Sequence, residues 1–334
     1  MLGYTNETHG VYTALPVIIF DDFTTANRYV NFEFKVKSSA MKILTPNTAL
    51  VLPQFIYYRM QIIQFDHSTH KRYWIQQYSK IKVSIPPIPV QEQIVAKIEE
   101  LFSKLDSAVE TLRKTKQRLA VYRQAVLRDA FEGLDTFVSL QSISERIFDG
   151  PFGSNLKTSN YTSSGIRVVR LENLKDGWFD DSKQSFVTQE KYDTISSHTV
   201  YPTDLIMSTF ISDSIKVCQM PEYVGFAVNK ADCIGIRLKS NYVQRYVMYY
   251  LMAKNAYNSL VHEVHGATRP RVNTKQIKSI QIPVCDFSVQ RKIVASIESR
   301  LSVCDSIETT VDTALQQAEA MRQSILKQAF ERRL

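Results

Sequence analysis

The chain contains one long segment twice, and this repeat restricts its fold more than any other feature. Residues 94–132 align without a gap to residues 293–331, so that every matched pair lies 199 positions apart. Sixteen of the 39 aligned positions are identical. Ungapped identity over such a length is far above chance and indicates an internal duplication, which must be interpreted before the rest of the chain.

Each copy has the apolar pattern of one long helix that pairs with another helix. Apolar or small residues recur at alternating steps of four and three, which is the heptad period typical of a coiled coil. Pro86, Pro87 and Pro89 precede the first copy, Gly133 follows it, and Pro283 precedes the second. Proline is tolerated before a helix or in its first turn, and glycine is common just after its end, so these residues mark helix boundaries.

Two matched stripes on two matched helices are most economically buried against each other, although packing into an ordinary core is the alternative. A helix of about 40 residues would be about 60 Å long at 1.5 Å per residue. The stripe includes Ala108, Tyr122, Ile307 and Met321, with a register irregularity near Arg300. The residues predicted to pair the helices are Ile98, Leu105, Leu112, Leu119, Ile297, Cys304, Val311 and Ala318.

The segment between the two helices has the size of a domain and a mixed α/β pattern. Residues 166–171 and 226–239 alternate like strands, and residues 241–260 have an apolar face at helical spacing. Residues 1–85 resemble the later part of the same domain, because residues 52–63 are similar to the helix at 241–260. The predicted domains are 1–85 (a partial first domain), 86–133 (first helix), 134–285 (a complete second domain) and 286–334 (second helix).

A basic stretch without acidic residues precedes each long helix. Residues 67–82 and 265–278 combine lysine and arginine with asparagine or glutamine. Cationic side chains suit phosphates and guanine edges, and carboxamides suit adenine edges. A solvated basic loop is the alternative interpretation, but the occurrence of the feature in both copies favours contact with DNA.

The composition agrees with a polyanionic partner. The net charge is +8 and the isoelectric point about 9.1, and neutralisation of phosphates supplies much of the affinity for nucleic acid. With no long apolar run and no signal-peptide pattern, we expect a cytoplasmic protein. The four cysteines show neither zinc-site nor disulfide spacing. The pairs His67/His70 and His262/His265 lack a third ligand, so we expect no metal.

Catalytic motifs are absent from the sequence. It has no adenine-methylation motif of the Asn-Pro-Pro-aromatic type, no phosphate-binding G-x-x-x-x-G-K-[ST] loop and no G-x-S-x-G. The chain is therefore predicted to recognise DNA without catalysing a reaction on it.

Several phrases, in their order along the chain, resemble the specificity subunits of type I restriction–modification systems. IPPIPVQEQIVAKIEELFSKLD (85–106) is similar to the start of that family's conserved spacer helix. FDGPFGSNLK (148–157) with GIRVVRLENLKDGWF (165–179) resembles the start of a target-recognition domain, and GATRPRVNTKQIKSIQIP (266–283) resembles its end. LPVIIFDDFTT (15–25) is similar to a segment inside many first recognition domains.

The resemblance implies a fold and a role. It implies α/β (α+β) target-recognition domains joined by two long antiparallel coiled-coil helices, with a pseudo-twofold internal repeat. Each domain would read one half of a split duplex DNA site, and the helices would hold modification subunits and, through the complex, a restriction subunit. S-adenosylmethionine, ATP and Mg²⁺ would belong to those partners, so no cofactor is expected in this chain.

The residues expected to contact DNA fall into three groups, on the two sides of the second domain and in the first domain. The alternative function is a truncated scaffold or decoy that binds modification subunits without reading a full site, since only 85 residues precede the first spacer. A second chain could then cover exposed strand edges, so self-association is expected if the first domain is incomplete. The expected DNA contacts are Arg269, Arg271, Asn273 and Lys275; then Lys157, Arg167, Arg170 and Asn173; and Lys71, Arg72, Tyr73 and Gln76 in the first domain.

Overall fold

The chain divides into two compact units that share the long helices. The structure, a computed structural model, describes residues 5–36, 38, 40–63, 65, 72–261 and 271–331. The first unit comprises Met1–Lys116 with Thr309–Leu334, and the second comprises Gln117–Glu308. Each unit thus combines a globular part with a portion of each long helix: about two thirds of α2 and half of α8 in the first unit, and the remainder in the second.

The described residues form helices and strands in the mixed order expected of α/β domains. The helices are α1 (Pro53–Met60), α2 (Ile88–Ala130), α3 (Leu140–Ile143), α4 (Gln189–Ile195), α5 (Gln244–Met252), α6 (Lys254–Val261), α7 (Thr274–Ser279) and α8 (Phe287–Phe330). The strands are β1 (Val17–Asp21), β2 (Asn27–Val30), β3 (Met41–Leu44), β4 (Phe137–Ser139), β5 (Ser144–Phe148), β6 (Ile166–Val169), β7 (Phe186–Val187), β8 (Thr199–Val200), β9 (Leu205–Ile211), β10 (Ile215–Gln219), β11 (Ala227–Asn229), β12 (Cys233–Leu238) and β13 (Gln281–Pro283).

The predicted fold class is confirmed. The two copies of the repeat form the 43-residue helix α2 and the 44-residue helix α8, and strands fill the segment between them. One element differs from the prediction: residues 241–260 form two helices, because Ala253 has extended backbone angles and separates α5 from α6. Among the described residues, no helix combines the length and apolarity that a membrane span requires.

The long helices run antiparallel in each unit. In the first unit, Lys116 Nζ lies 2.7 Å from an oxygen of Asp312. In the second, Arg123 Nη2 lies 2.7 Å from Asp305 and 2.9 Å from Glu308. Arg322 also pairs with Asp106 in the first unit, so residue numbers fall along α8 as they rise along α2. This is the antiparallel pairing that the family resemblance implies.

The contact surface between the two long helices, the seam, differs in part from the predicted apolar stripe, because some positions are displaced to the neighbouring residue. Six of the eight residues predicted to pair the helices are buried, and Leu105 and Leu112 are half-buried. Ala108, Tyr122, Ile307 and Met321 are exposed, so their place in the predicted stripe is wrong. Their places in the seam are taken by Val109, Arg123, Glu308 and Arg322, which are half-buried.

Charged residues concealed this part of the seam from the sequence pattern. The stems of Arg123 and Arg322 cover the seam, while their charged ends reach carboxylates on the facing helix. Long cationic side chains commonly bury their methylene stems and keep the charge in solvent. A search for apolar residues alone therefore selects the neighbouring positions.

The second unit is built around a sheet that is covered on both faces. The antiparallel sheet β10-β9-β12-β5 packs one face on α5 and the long helices, and the other on a mixed sheet, β7-β6-β11-β8. Alternate residues of β9 serve the two faces: Leu205 and Met207 face the helices, and Ile206 faces the second sheet. This double burial explains why β9 is an almost continuous apolar run.

The first unit has a smaller sheet. Strands β2-β1-β3 are antiparallel, and Ile18 and Phe20 of β1 pack with Met60 and Tyr78 in the core. The ring centroids of Phe20 and Tyr78 are 4.5 Å apart. Asp22, fully buried, accepts a hydrogen bond from the N–H of Trp74 at 2.7 Å and thereby fixes the chain within the basic stretch.

The same buried glutamine joins each globular part to its long helix. In the first unit, Gln91 accepts a hydrogen bond from the N–H of Leu52 at 2.8 Å and donates to two backbone carbonyls. In the second, Gln290 accepts from the N–H of Val243 at 2.9 Å and donates to the carbonyl of Cys285. Each glutamine satisfies a donor at the start of α1 or α5, where helical N–H groups lack internal partners.

An aromatic pair repeats in the same way. Phe55 of α1 meets Phe330 of α8 with ring centroids 5.3 Å apart, and Tyr246 of α5 meets Phe131, just after α2, at the same distance. Both pairs are edge-to-face, an arrangement that adds to the free energy gained from burial. Duplication has therefore preserved the contacts that attach a short helix to the helix pair.

Candidate nucleic-acid interface

Arg271 is held at the surface of the second unit by three contacts. Its backbone bridges to Phe210 at the end of β9, and the neighbouring Val272 donates to the carbonyl of Thr209 at 2.9 Å. The guanidinium lies 5.3 Å from the centre of the Phe210 ring and forms an ion pair with Asp232. Half of the side chain remains exposed, so the guanidinium is oriented and still accessible to a ligand.

The turn between β11 and β12 supplies this carboxylate. Asp232 has a φ of 80°, in the left-handed region that few non-glycine residues adopt. Asp232 also accepts the N–H of Thr209 at 2.9 Å through its carbonyl. The turn is therefore tied to β9 by its backbone and to Arg271 by its side chain.

A second cationic group lies on the same turn. Lys230 Nζ donates to the hydroxyl of Tyr161 at 3.0 Å and lies 5.3 Å from the ring centre. The Arg170 guanidinium lies 5.4 Å from that ring and also contacts Glu172 and Ser185. One tyrosine thus holds two cations, an arrangement that favours their orientation more than a solvated surface would.

Cys233 follows the turn directly and is fully buried. Burial raises the pKa of its thiol, and the negative charge of Asp232 raises it further. Lys230 and Arg170 lower the pKa by stabilising the thiolate. Tyr161 contacts both Lys230 and Arg170, and Asp232 on the same turn pairs with Arg271. We call these five residues (Tyr161, Arg170, Lys230, Asp232 and Arg271) the turn surface.

The glycine of the FDGPFGS phrase makes this surface possible. A Cβ at Gly150 would lie 2.1 Å from the carbonyl carbon of Lys230. Real Cβ atoms do not approach a backbone so closely, so only glycine allows the end of β5 to pack on the turn. The phrase that resembles the family therefore supports the turn that carries Lys230 and Asp232.

Two residues predicted to contact DNA are instead buried beneath this surface. Asn173 is 1% exposed; its amide donates to two carbonyls and its oxygen accepts the N–H of Arg170 at 2.9 Å. Arg167 is 6% exposed and pairs with Asp181 at 2.6 Å. Their polar character fits a DNA contact, but Asn173 holds the backbone at Arg170, and Arg167 is bonded to Asp181 and to the carbonyl of Lys183.

The other predictions in the second unit have mixed outcomes. Asn273 caps α7. Its side-chain oxygen accepts a hydrogen bond from the N–H of Gln276, and the side-chain oxygen of Gln276 accepts one from the N–H of Asn273, both at 2.9 Å. This Asn-x-x-Gln box is visible in the sequence and indicates a helix start, so the predicted base contact for Asn273 competes with capping. Lys157 and Lys275 are exposed, and Arg269 lies outside the described residues.

In the first unit, one predicted contact is in the core. Tyr73 is 1% exposed, and its ring packs 5.6 Å from that of Phe65, so its predicted contact with DNA is corrected to a structural role. Arg72 is exposed over the ring of Phe23, at 5.6 Å, and Gln76 is exposed. Lys71 lies outside the described residues, as do His67, His70, His262 and His265; the described residues contain no metal-binding cluster of His, Cys, Asp or Glu.

Sequence reasoning missed Tyr161, Phe210, Lys230 and Asp232. The segment 226–239 was interpreted as strand, and it contains two strands with a polar turn between them. The mostly polar run Asn-Lys-Ala-Asp between two apolar segments was the available signal for that turn. Nothing in the sequence indicated that Tyr161, about 70 positions away, would meet Lys230.

Comparison with known proteins agrees with this reading. Residues 153–317 match the family model described as type I restriction modification DNA specificity domain. The chain is 28% identical over 322 residues to the EcoR124I/EcoR124II specificity subunit of Escherichia coli, covering 92% of this chain and 78% of that protein. It is 23% identical over 268 residues to the EcoKI specificity subunit of Escherichia coli K12, covering 76% of this chain but only 58% of that protein.

Solved structures share the fold. A chain from a structure of a type I restriction–modification system, described by its complex assembly and conformational transition, has a TM-score of 0.73 at 15% identity, with 95% of this chain and 82% of that chain covered. The HsdS subunit from Thermoanaerobacter tengcongensis has a TM-score of 0.51 at 15% identity, with 95% and 81% covered. The matched domain, the related sequences and the shared fold together show that this chain is similar to the DNA specificity subunits of type I restriction–modification systems.

Proposed function

We propose that the turn surface of the second unit reads one half of a split duplex DNA site. The observation that carries this proposal is Arg271, exposed but oriented by Asp232 and Phe210. An arginine guanidinium can donate two parallel hydrogen bonds to the O6 and N7 of guanine, and a fixed guanidinium loses less entropy on binding. Lys230 and Arg170, beside it, suit the phosphates that set the register of the protein on DNA.

The first unit is proposed to contact the other half-site through Arg72 and Gln76. Both side chains are exposed and belong to the basic stretch of that unit. The long helices would set the distance between the half-sites and hold the modification subunits. A restriction subunit would join through the complex.

The proposed complex divides recognition from catalysis. This chain supplies DNA contacts, and methyl transfer and cleavage, with S-adenosylmethionine, ATP and Mg²⁺, belong to partner subunits. The related proteins are named specificity subunits, which supports a non-catalytic role. The proposed compartment is the cytoplasm, where the duplex DNA of a bacterial cell lies.

Substitution of Arg271 tests the proposal. In the complex with modification subunits, Arg271→Ala should weaken binding to the preferred duplex by about 1–3 kcal/mol, because a bidentate base contact is lost. Fluorescence anisotropy at fixed salt measures this loss. Arg128→Ala is the matched control, since Arg128 is an exposed arginine of the same unit that pairs with Asp129 on α2. Equal affinity of the wild-type complex for preferred and random duplexes would refute sequence recognition.

A further inference from the structure

We propose that a cavity in the first unit accepts an arginine side chain of a modification subunit, an inference that rests on the proposed role of the chain in holding such subunits. The cavity lies between α1, α2 and α8 and has a volume of about 540 Å³. Its walls combine aromatic rings with carboxylates. The residues that matter here are Tyr57, Tyr58, Glu99, Phe102, Glu319 and Arg322.

The cavity is acidic on a basic chain. Glu99, Asp106 and Glu319 line it together with a single cation, Arg322. Arg322 is already engaged, since it forms an ion pair with Asp106 and lies 4.2 Å from the centre of the Phe102 ring. Among the described residues, no ion pair reaches Glu99 or Glu319. Two carboxylates therefore face the cavity without a cation of their own.

The second unit contains the equivalent carboxylate with its cation in place. Glu298 occupies the position of Glu99 in the repeat, and Tyr249 donates to it at 3.5 Å, as Tyr58 donates to Glu99 at 3.4 Å. In the second unit, Arg245 also forms an ion pair with Glu298. The duplicated architecture thus shows which group this carboxylate and tyrosine accept, namely a guanidinium.

The first unit lacks that guanidinium because of one residue. Arg245 is the second residue of α5, and the second residue of α1 is Gln54. Gln54 is half-buried and uncharged. The place that an internal arginine takes in the second unit is consequently open in the first unit to a cation from another chain.

The surrounding groups suit an incoming arginine. A planar guanidinium can donate to a carboxylate and stack on an aromatic ring at the same time, and Tyr57 and Tyr58 provide rings next to Glu99. Burial, and secondly the charge of Glu99, raise the pKa of Tyr58 to about 12, so its hydroxyl stays protonated and continues to donate. The carboxylate is held in place before a partner arrives.

Two opposite substitutions test the inference. Glu99→Gln removes the acceptor, and Gln54→Arg supplies an internal guanidinium at the position of Arg245. Both should weaken binding of the modification subunit by about tenfold, because an interfacial charge pair is lost or blocked. Calorimetric titration of the full chain with the modification subunit measures this change. Gln54→Arg should leave the melting temperature unchanged or higher, which separates it from a general folding defect.

The control is Glu110→Gln. Glu110 is an exposed glutamate of α2 that pairs with Lys114 at 3.3 Å, and the affinity of this variant for the modification subunit should stay within about twofold of the wild type. If Glu99→Gln and Gln54→Arg both bind the modification subunit as the wild type does, this inference is wrong, and the proposed role of the chain in holding modification subunits stands. If the wild-type chain binds no modification subunit, the proposed role fails and this inference fails with it. Loss of spermidine binding in Glu99→Gln, with unchanged subunit affinity, would assign the cavity to a small polyamine instead.

Discussion

The two units attach their globular parts to the long helices by the same contacts, but they differ in what those parts present. Gln91 and Gln290 are equivalent, and so are the aromatic pairs that contain Phe330 and Phe131. The second unit adds two four-stranded sheets and the turn surface, whereas the described part of the first unit has one three-stranded sheet. Duplication has therefore preserved the attachment to the helices, and the recognition surface has diverged.

The aromatic pairs give the largest expected difference between the units. Phe131 is buried against Tyr246 and Tyr250, whereas Phe330 is half-buried beside Phe55. Phe131→Ala should lower the free energy of unfolding by about 3–5 kcal/mol, since it removes a large buried ring and leaves a cavity. Phe330→Ala should cost less, because its ring is partly solvated. Denaturant unfolding measures both, and a larger loss for Phe330→Ala would contradict the assigned burial.

The buried glutamines should be nearly equal in effect. Gln290→Leu leaves the N–H of Val243 and the carbonyl of Cys285 without partners, and each buried unsatisfied group costs about 1–3 kcal/mol. We therefore expect a loss of about 2–4 kcal/mol in unfolding free energy, with a similar loss for Gln91→Leu. Gln317→Leu, at an exposed glutamine of α8, serves as the control. A loss below about 0.5 kcal/mol would show that water replaces the glutamine.

Lysine and arginine substitutions compare DNA contact in the two units. Lys230→Ala should weaken binding of all duplexes alike by about 1 kcal/mol and reduce the slope of log affinity against log salt by about one, as expected for a phosphate contact. Arg72→Ala should reduce the slope in the same way if the first unit contacts phosphate. Salt titrations of binding measure both. An unchanged slope for Arg72→Ala alone would confine DNA contact to the second unit.

The smallest expected effects come from the ion pairs across the helix seam. Arg123 with Asp305 and Arg322 with Asp106 are equivalent pairs in the repeat. Their carboxylates are well exposed, and exposed pairs contribute at most about 1 kcal/mol. A double-mutant cycle with alanine at both positions of each pair should give a coupling free energy below that value. Coupling above about 2 kcal/mol would indicate that solvent screens the seam less than its exposure implies.

The sequence predicted the parts of the fold that depend on local patterns. The helices were found because their apolar period persists over many turns, and the β segments because they alternate or run apolar. The displaced part of the seam was missed because Arg123 and Arg322 occupy it, and hydrophobic patterns ignore charged residues whose stems are buried.

The site was less predictable, because exposure and pairing depend on tertiary contacts. Tyr73, Arg167 and Asn173 have the chemistry of DNA contacts but are buried. Tyr161 and Lys230 meet only after β6 and β11 pair in parallel. Arg271, in contrast, was predicted from the basic stretch and is exposed, since it lies at the surface end of β9.

The methylation motif of the complex with the wild-type chain and with Arg271→Ala is the most direct test of the central claim, that the second unit reads one half-site. Sequencing of methylated DNA should give a two-part motif for the wild type. With Arg271→Ala, one position in one half should accept other bases, and the other half should be unchanged. An identical motif for both chains, or a uniform loss of methylation at every position, would contradict the claim.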